Sequence, residues 1–174
     1  MAINRAIQES FERNNIYKSA DSCIFISHKS SDKEWAIKLG EHIKNVYNID
    51  IYLDIYDKGL QVATLLDDHH KIVEHIQKGI SLSTHLMCLI SESTNPSWWV
   101  PYEIGYAKKS SKRISSLKIK NISDVPSFLK IEDVLMGAKS LNEYLKKINP
   151  YRAINDMYEF NKSKYPINDY LDWK

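Results

Sequence analysis

Glu103 stands four residues after Trp99 in the stretch Ser97-Trp98-Trp99-Val100-Pro101-Tyr102-Glu103-Ile104. On a helix that spacing puts indole and carboxylate on one face. A carboxylate can stabilise a developing positive charge, and an aromatic wall beside it can stack on a flat ring and exclude water. An isolated helix glutamate is more often a solvated surface charge, and a lone tryptophan is more often core than ligand platform. What singles this pair out is its place. It opens a helix directly after the apolar run His85-Leu86-Met87-Cys88-Leu89-Ile90 and the polar loop Ser91-Glu92-Ser93-Thr94-Asn95. Asn95 or Ser97 can cap that helix, and Pro96 and Pro101 sit where a missing N–H costs little. The neighbouring Trp98 is expected in the core.

Other reactive residue types carry less. His69, His70 and His75 have no spacing used by zinc sites, and no metal is expected. Cys23 and Cys88 lie inside apolar runs, where a thiol acts as a small hydrophobe. No glycine-rich phosphate loop is present, which argues against redox use of a dinucleotide on a Rossmann-type site.

The elements that must position Glu103 follow from hydrophobic periodicity. Cys23-Ile24-Phe25-Ile26 reads as a strand buried on both faces, ended by the polar turn from Ser27 to Asp32. Asp32 is expected to cap a helix whose apolar stripe runs Trp35, Ala36, Leu39, Ile43 and Val46, closed by Asn48. Ile49–Leu53 reads as the second strand. A long connection follows from Asp54, leading into a helix with Ile72, Val73, Ile76 and Ile80 on one side. Leu86–Ile90 is the third strand, Ile114–Ile119 a more polar fourth nearer an edge, and Phe128–Ile131 a short fifth before a helix over Ser140–Ile148.

Strand and helix alternate throughout, which specifies an α/β fold: an open, mostly parallel five-stranded sheet in flavodoxin-like order, with helices on both faces. Ligands of such sheets bind beyond the C-terminal strand ends. The loops there, Ser27 to Asp32, Asp54 to about Leu66, and Ser91 to Trp99, converge on one rim.

At 174 residues, 43% hydrophobic and 26% charged, the composition is that of one soluble globular domain. The formal charge of +2 is too small to argue for nucleic acid or an anionic membrane as partner. Without an apolar N-terminal run, a span of ~20 apolar residues or a disulfide-like cysteine set, the chain reads as cytoplasmic. Residues 1–20 read as a leading helix or arm, 21–149 as the domain, and 150–174 as a helical and extended aromatic tail packed on it, carrying Tyr151, Tyr158, Phe160, Tyr165, Tyr170 and Trp173.

Three motifs in order give the chain a family likeness. Phe25-Ile26-Ser27-His28-Lys29-Ser30-Ser31-Asp32-Lys33-Glu34 resembles the first box of Toll/interleukin-1 receptor (TIR) domains. Tyr52-Leu53-Asp54, a loop with Gly59, and Ile76-Gln77-Lys78-Gly79-Ile80 resemble the family's second strand, BB loop and following helix, although the loop looks longer than usual. Met87-Cys88-Leu89-Ile90-Ser91 with Trp99-x-x-x-Glu103 resembles the third strand and the Trp-x-x-x-Glu of members that cleave NAD+. The likeness covers roughly residues 22–131 and is similar to stand-alone bacterial members of the Thoeris kind.

That resemblance implies cleavage of the nicotinamide–ribose bond, with Glu103 as the essential glutamate, Trp99 as the aromatic residue beside it, and Ser27, His28, Asp54 and Lys58 lining the pocket. NAD+ would be substrate, with no further cofactor. Glycoside cleavage normally needs a second carboxylate to protonate the leaving oxygen. Here the leaving group is already a cationic pyridinium that departs neutral, so one carboxylate holding the ribose suffices. Water would give ADP-ribose; a group on the same molecule would give a cyclic isomer. The resemblance further implies antiphage defence, a separate sensor or effector protein, and self-association through the BB loop at about 54–66. The rival reading is a non-catalytic adaptor acting by self-association, or a module interfering with host TIR signalling.

Overall fold

Two central strands of uninterrupted apolar residues can be buried only if both faces of the sheet are covered, and the chain covers them with helices. The structure, a computed structural model, describes residues 1–7, 22–94, 96–150, 166–172 and 174. The strands are β1 (Cys23–Ser27), β2 (Asp50–Tyr52), β3 (His85–Ile90), β4 (Arg113–Lys118) and β5 (Asp133–Leu135), all parallel, in the order β2-β1-β3-β4-β5. Between them run α1 (Lys33–Tyr47), α2 (Lys58–Leu65), α3 (His69–Ser81) and α4 (Trp99–Lys109), with α5 (Ala138–Ile148) after β5. This is the expected flavodoxin-like arrangement.

Alternation along the strands feeds two cores. Ile24, Ile26, Met87 and Leu89 face α1 and α5, meeting Leu39, Ile43, Leu141 and Leu145. Phe25, Leu86, Cys88 and Ile90 face the other way, against Ile72, Ile76 and Ile80 of α3 and Ile104 and Ala107 of α4. After β1 the chain turns to β2 on one side and later returns to β3 on the other, so the loops leaving β1 and β3 diverge and open a crevice at the C-terminal rim.

Several elements differ from the sequence expectation. The fifth strand is Asp133–Leu135, because Pro126 starts a 3-10 turn over Ser127–Leu129 that drops Leu129 into the core and leaves Ile131 exposed. The connection after Asp54 is no open loop: it contains the two-turn helix α2, which buries only Ala63 and so shows no helical apolar stripe. Asp32 stands ahead of α1 but makes no capping bond to it; its carboxylate accepts from Ser91 Oγ and from Ser31 Oγ at 3.2 Å. Asn48 closes α1 in the left-handed conformation, φ 51°, as expected.

Both ends are tied to the domain where they are described. Arg5 pairs with Asp50 at 2.9 Å and donates to the Leu82 carbonyl, and Asn4 bridges Ile51. Ile167 and Leu171 join the α1/α5 core, and Tyr170 packs on Trp35 and accepts from Lys38. The expected leading helix or arm over residues 1–20 falls mostly outside the described residues, as do Tyr151, Tyr158, Phe160, Tyr165 and Trp173. No described helix is long and apolar enough to cross a membrane.

Candidate active site

Ser27 ends β1 and Glu103 sits one turn into α4, whose first turn is braced by Ser97 Oγ accepting from the Val100 N–H at 3.3 Å. Strand β1 is fully buried, so its last side chain emerges already inside the protein, and there Ser27 Oγ donates to Glu103 Oε2 at 2.5 Å. Glu103 is 3% exposed. Among the described residues no basic side chain pairs with it. Burial pushes its pKa well up, the nearby Asp54 carboxylate pushes the same way, and the Ser27 hydroxyl opposes both.

Asp54 follows β2 in a 3-10 turn. Its Oδ1 is buried, has no hydrogen-bond partner among the described residues, and lies 3.7 Å from His28 Nδ1, a nitrogen that also contacts the Ile26 carbonyl at 3.3 Å. Burial raises the Asp54 pKa, and His28 opposes that rise. Two carboxylates with raised proton affinity therefore share one region, which makes it a candidate functional site.

Glu103, Asp54, His28 and Trp99 line one open cleft of about 750 Å3, a size suited to a small organic ligand. It lies at the crevice between the loops leaving β1 and β3. Of the residues expected there, Ser27 lies behind Glu103 as its hydrogen-bond partner, and Lys58 heads α2, exposed and away from the cleft lining. The rings of Trp99 and Tyr102 meet nearly at right angles, centroids 6.1 Å apart. Trp98 is not core: it is 91% exposed, because it precedes α4 and the helix buries Val100 and Glu103 instead.

Sequence reasoning missed the wall made by α2. Leu60, Gln61, Thr64 and Leu65 line the cleft, and one carboxylate fixes the helix that carries them. Asp57 accepts from Leu60 N at 3.0 Å, Tyr52 Oη at 2.5 Å and His75 Nδ1 at 3.1 Å. Asp57 three residues before Leu60 was the available signal, an N-cap spacing. Lys29 and Lys33 were also missed as cleft residues.

A profile of the TIR domain matches residues 24–148. The chain belongs to the TIR-domain family. The TIR domain of the Toll-related receptor TRR-2 from Hydra magnipapillata has a similar structure, with TM-score 0.54, 16% identity, 76% of this chain covered and 98% of that one. That likeness concerns the fold. A CMP N-glycosidase from Clostridium botulinum aligns with TM-score 0.44 and 14% identity over 73% of this chain and 98% of that one, too distant to carry an argument. No curated protein sequence matches significantly.

Proposed function

We propose that this TIR domain cleaves NAD+ at the nicotinamide–ribose bond. The observation that carries the reading is Glu103: a carboxylate 3% exposed, lining an open cleft, without a basic partner among the described residues. A structural carboxylate so buried would be expected to be paired, because desolvating an anion costs several kcal/mol unless charge or hydrogen bonds compensate. A cationic pyridinium riboside supplies the missing positive charge.

The chemistry follows from that pairing. As the glycosidic bond breaks, its electron pair leaves with the ring nitrogen, nicotinamide departs neutral, and positive charge moves onto the ribose. The cationic ring, once bound, favours the charged form of Glu103; ionised and within reach of the ribose hydroxyls, the carboxylate stabilises that charge more than it stabilises the ground state, and Ser27 Oγ fixes its direction. Trp99 provides the wall against a flat ring. Attack by water gives ADP-ribose, and attack by a group of the same molecule gives a cyclic ADP-ribose isomer. Asp54 and His28 contact substrate from the neighbouring loops. We extend the reading by family resemblance to a cytoplasmic enzyme of bacterial antiphage defence that signals to, or is triggered by, a separate protein.

One observation favours the second reading, a self-associating module. Val62, Leu65 and Leu66, on and just after α2, are 54%, 85% and 69% exposed, an apolar strip on the segment that corresponds to the BB loop. The two readings are compatible if subunit contact completes the cleft.

The test is incubation of the full chain with NAD+ and mass spectrometry of the products, alongside Glu103→Ala. Nicotinamide release lost in the variant, with self-association retained, is the expected result. No turnover by the wild-type chain even when assembly is forced would leave the interaction module as the better account.

A further inference from the structure

The cleft lining carries two chemically different sets of groups. One is the carboxylates of Glu103 and Asp54. The other is Lys29 and Lys33, from the turn after β1 and the start of α1, with the indole of Trp98, ahead of α4. Neither lysine has an acidic partner among the described residues, whereas Lys38, Lys71, Lys108 and Lys130 all pair with acids. Trp98 is 91% exposed, its indole in water. The loops after β1 and β3 are adjacent on the rim, since those strands are paired, so the ammonium groups and the indole flank the same opening.

Resting on the cleavage reading above, we propose that Lys29, Lys33 and Trp98 form a subsite for the adenosine diphosphate arm of the substrate, the lysines meeting the diphosphate and Trp98 stacking on the purine. Charge complementarity selects this occupant. A molecule with a cationic ring at one end, a dianionic bridge in the middle and a neutral flat base at the other matches a lining that offers carboxylates, ammonium groups unpaired among the described residues, and an exposed aromatic face. Every base has a π-face that an indole can cover, and a phosphate is the natural counter-charge for an unpaired lysine. A neutral nucleoside or a bare nicotinamide riboside would leave both lysines unpaired and Trp98 in water. The subsite therefore sets specificity for dinucleotides over mononucleosides.

The experiment measures binding of ADP-ribose to the full chain by tryptophan fluorescence and calorimetry, with Trp98→Ala, Trp98→Phe and the double variant Lys29→Ala/Lys33→Ala. All three side chains lie on the surface of the cleft, outside both cores, so the variants should fold. Trp98→Ala is expected to weaken ADP-ribose about 5- to 150-fold, the usual worth of one base–aromatic stack, and Trp98→Phe to retain most of the affinity. The double lysine variant should weaken binding and flatten its salt dependence. ADP-ribose affinity unchanged in Trp98→Ala and in the lysine variant overturns the proposal, as does absence of ADP-ribose binding to the wild-type chain. So does a Trp98→Ala chain that loses self-association and keeps its ADP-ribose affinity, which would make Trp98 a protein contact. Glu103-dependent release of nicotinamide from NAD+ is read separately, so the cleavage reading can survive the loss of the subsite.

Discussion

Replacing Glu103 by glutamine should stabilise this protein above neutral pH while abolishing any chemistry of the carboxylate. Glu103 is 3% exposed and has one described hydrogen-bond donor, Ser27 Oγ at 2.5 Å, for two oxygens that together offer about four acceptor sites. Burial and the Asp54 carboxylate raise its pKa well above that of an exposed glutamate. An unfolded chain releases this proton near pH 4.3. Above that pH the folded state holds a proton that the unfolded state has lost, so stability falls as pH rises, up to the folded pKa, and stays lowered beyond it. Each pH unit inside that window costs the wild-type protein about 1.4 kcal/mol. A glutamine side chain has nearly the same shape, never ionises, and keeps an oxygen for Ser27. We expect Glu103→Gln to be the more stable protein at pH 8 by about 0.5–2 kcal/mol, the usual worth of one stabilising substitution, at roughly 2–4 °C in Tm per kcal/mol, with the gain shrinking towards zero at pH 4.5. Urea denaturation of both proteins across this range measures it. An equal difference at both pH values, or a variant less stable at pH 8, would mean that the carboxylate is paired and structural, and Glu103 would no longer mark a site.

Two glycines and one histidine give further checks by the same denaturation measurements. A Cβ on Gly79 would lie 2.4 Å from Cε1 of Tyr52, whose ring is stacked on Phe25 and pinned through its hydroxyl to Asp57, so Gly79→Ala should cost about 1–3 kcal/mol. Gly105, exposed within α4, meets nothing within 4 Å, so Gly105→Ala should gain up to about 1 kcal/mol from helix propensity; the same sign for both variants would refute the packing account. Burial, with help from Arg113, pushes the His85 imidazole down to about 4. Its contribution is whole above about pH 6.5 and is lost as pH falls towards that lowered value, so His85→Gln should flatten the decline of the urea midpoint between pH 6.5 and 4, and parallel declines would exclude the histidine as a cause.

Much of the architecture was legible in the chain because it rests on local periodicity. The runs Cys23–Ile26 and Leu86–Ile90 announce strands buried on both faces, and the helical stripes of Trp35–Val46 and Ile72–Ile80 announce the layers that cover them. Alternation of strand and helix leaves few topologies, and the crevice position follows from them. The spacing of Trp99 and Glu103 likewise puts two chemically useful groups on one helix face. The weakest elements were legible least. β5 and α2 are short, and what makes them regular is pairing with Ser115–Leu117 for one and the Asp57 anchor for the other, neither of which leaves a period in the sequence.

Tertiary structure alone decided the electrostatics. Ser27 and Glu103 are 76 residues apart, and only the register of β1 beside β3 brings hydroxyl to carboxylate at 2.5 Å. Burial of Glu103 and Asp54 in one region, the source of their raised proton affinity, depends on three chain segments meeting at one rim. The same holds for exposure. Trp98 and Trp99 are adjacent and identical in type, yet they are 91% and 39% exposed, because the start of α4 fixes which way each indole points. Residue type sets what a side chain can do; the fold sets its neighbours, its solvent and so its charge.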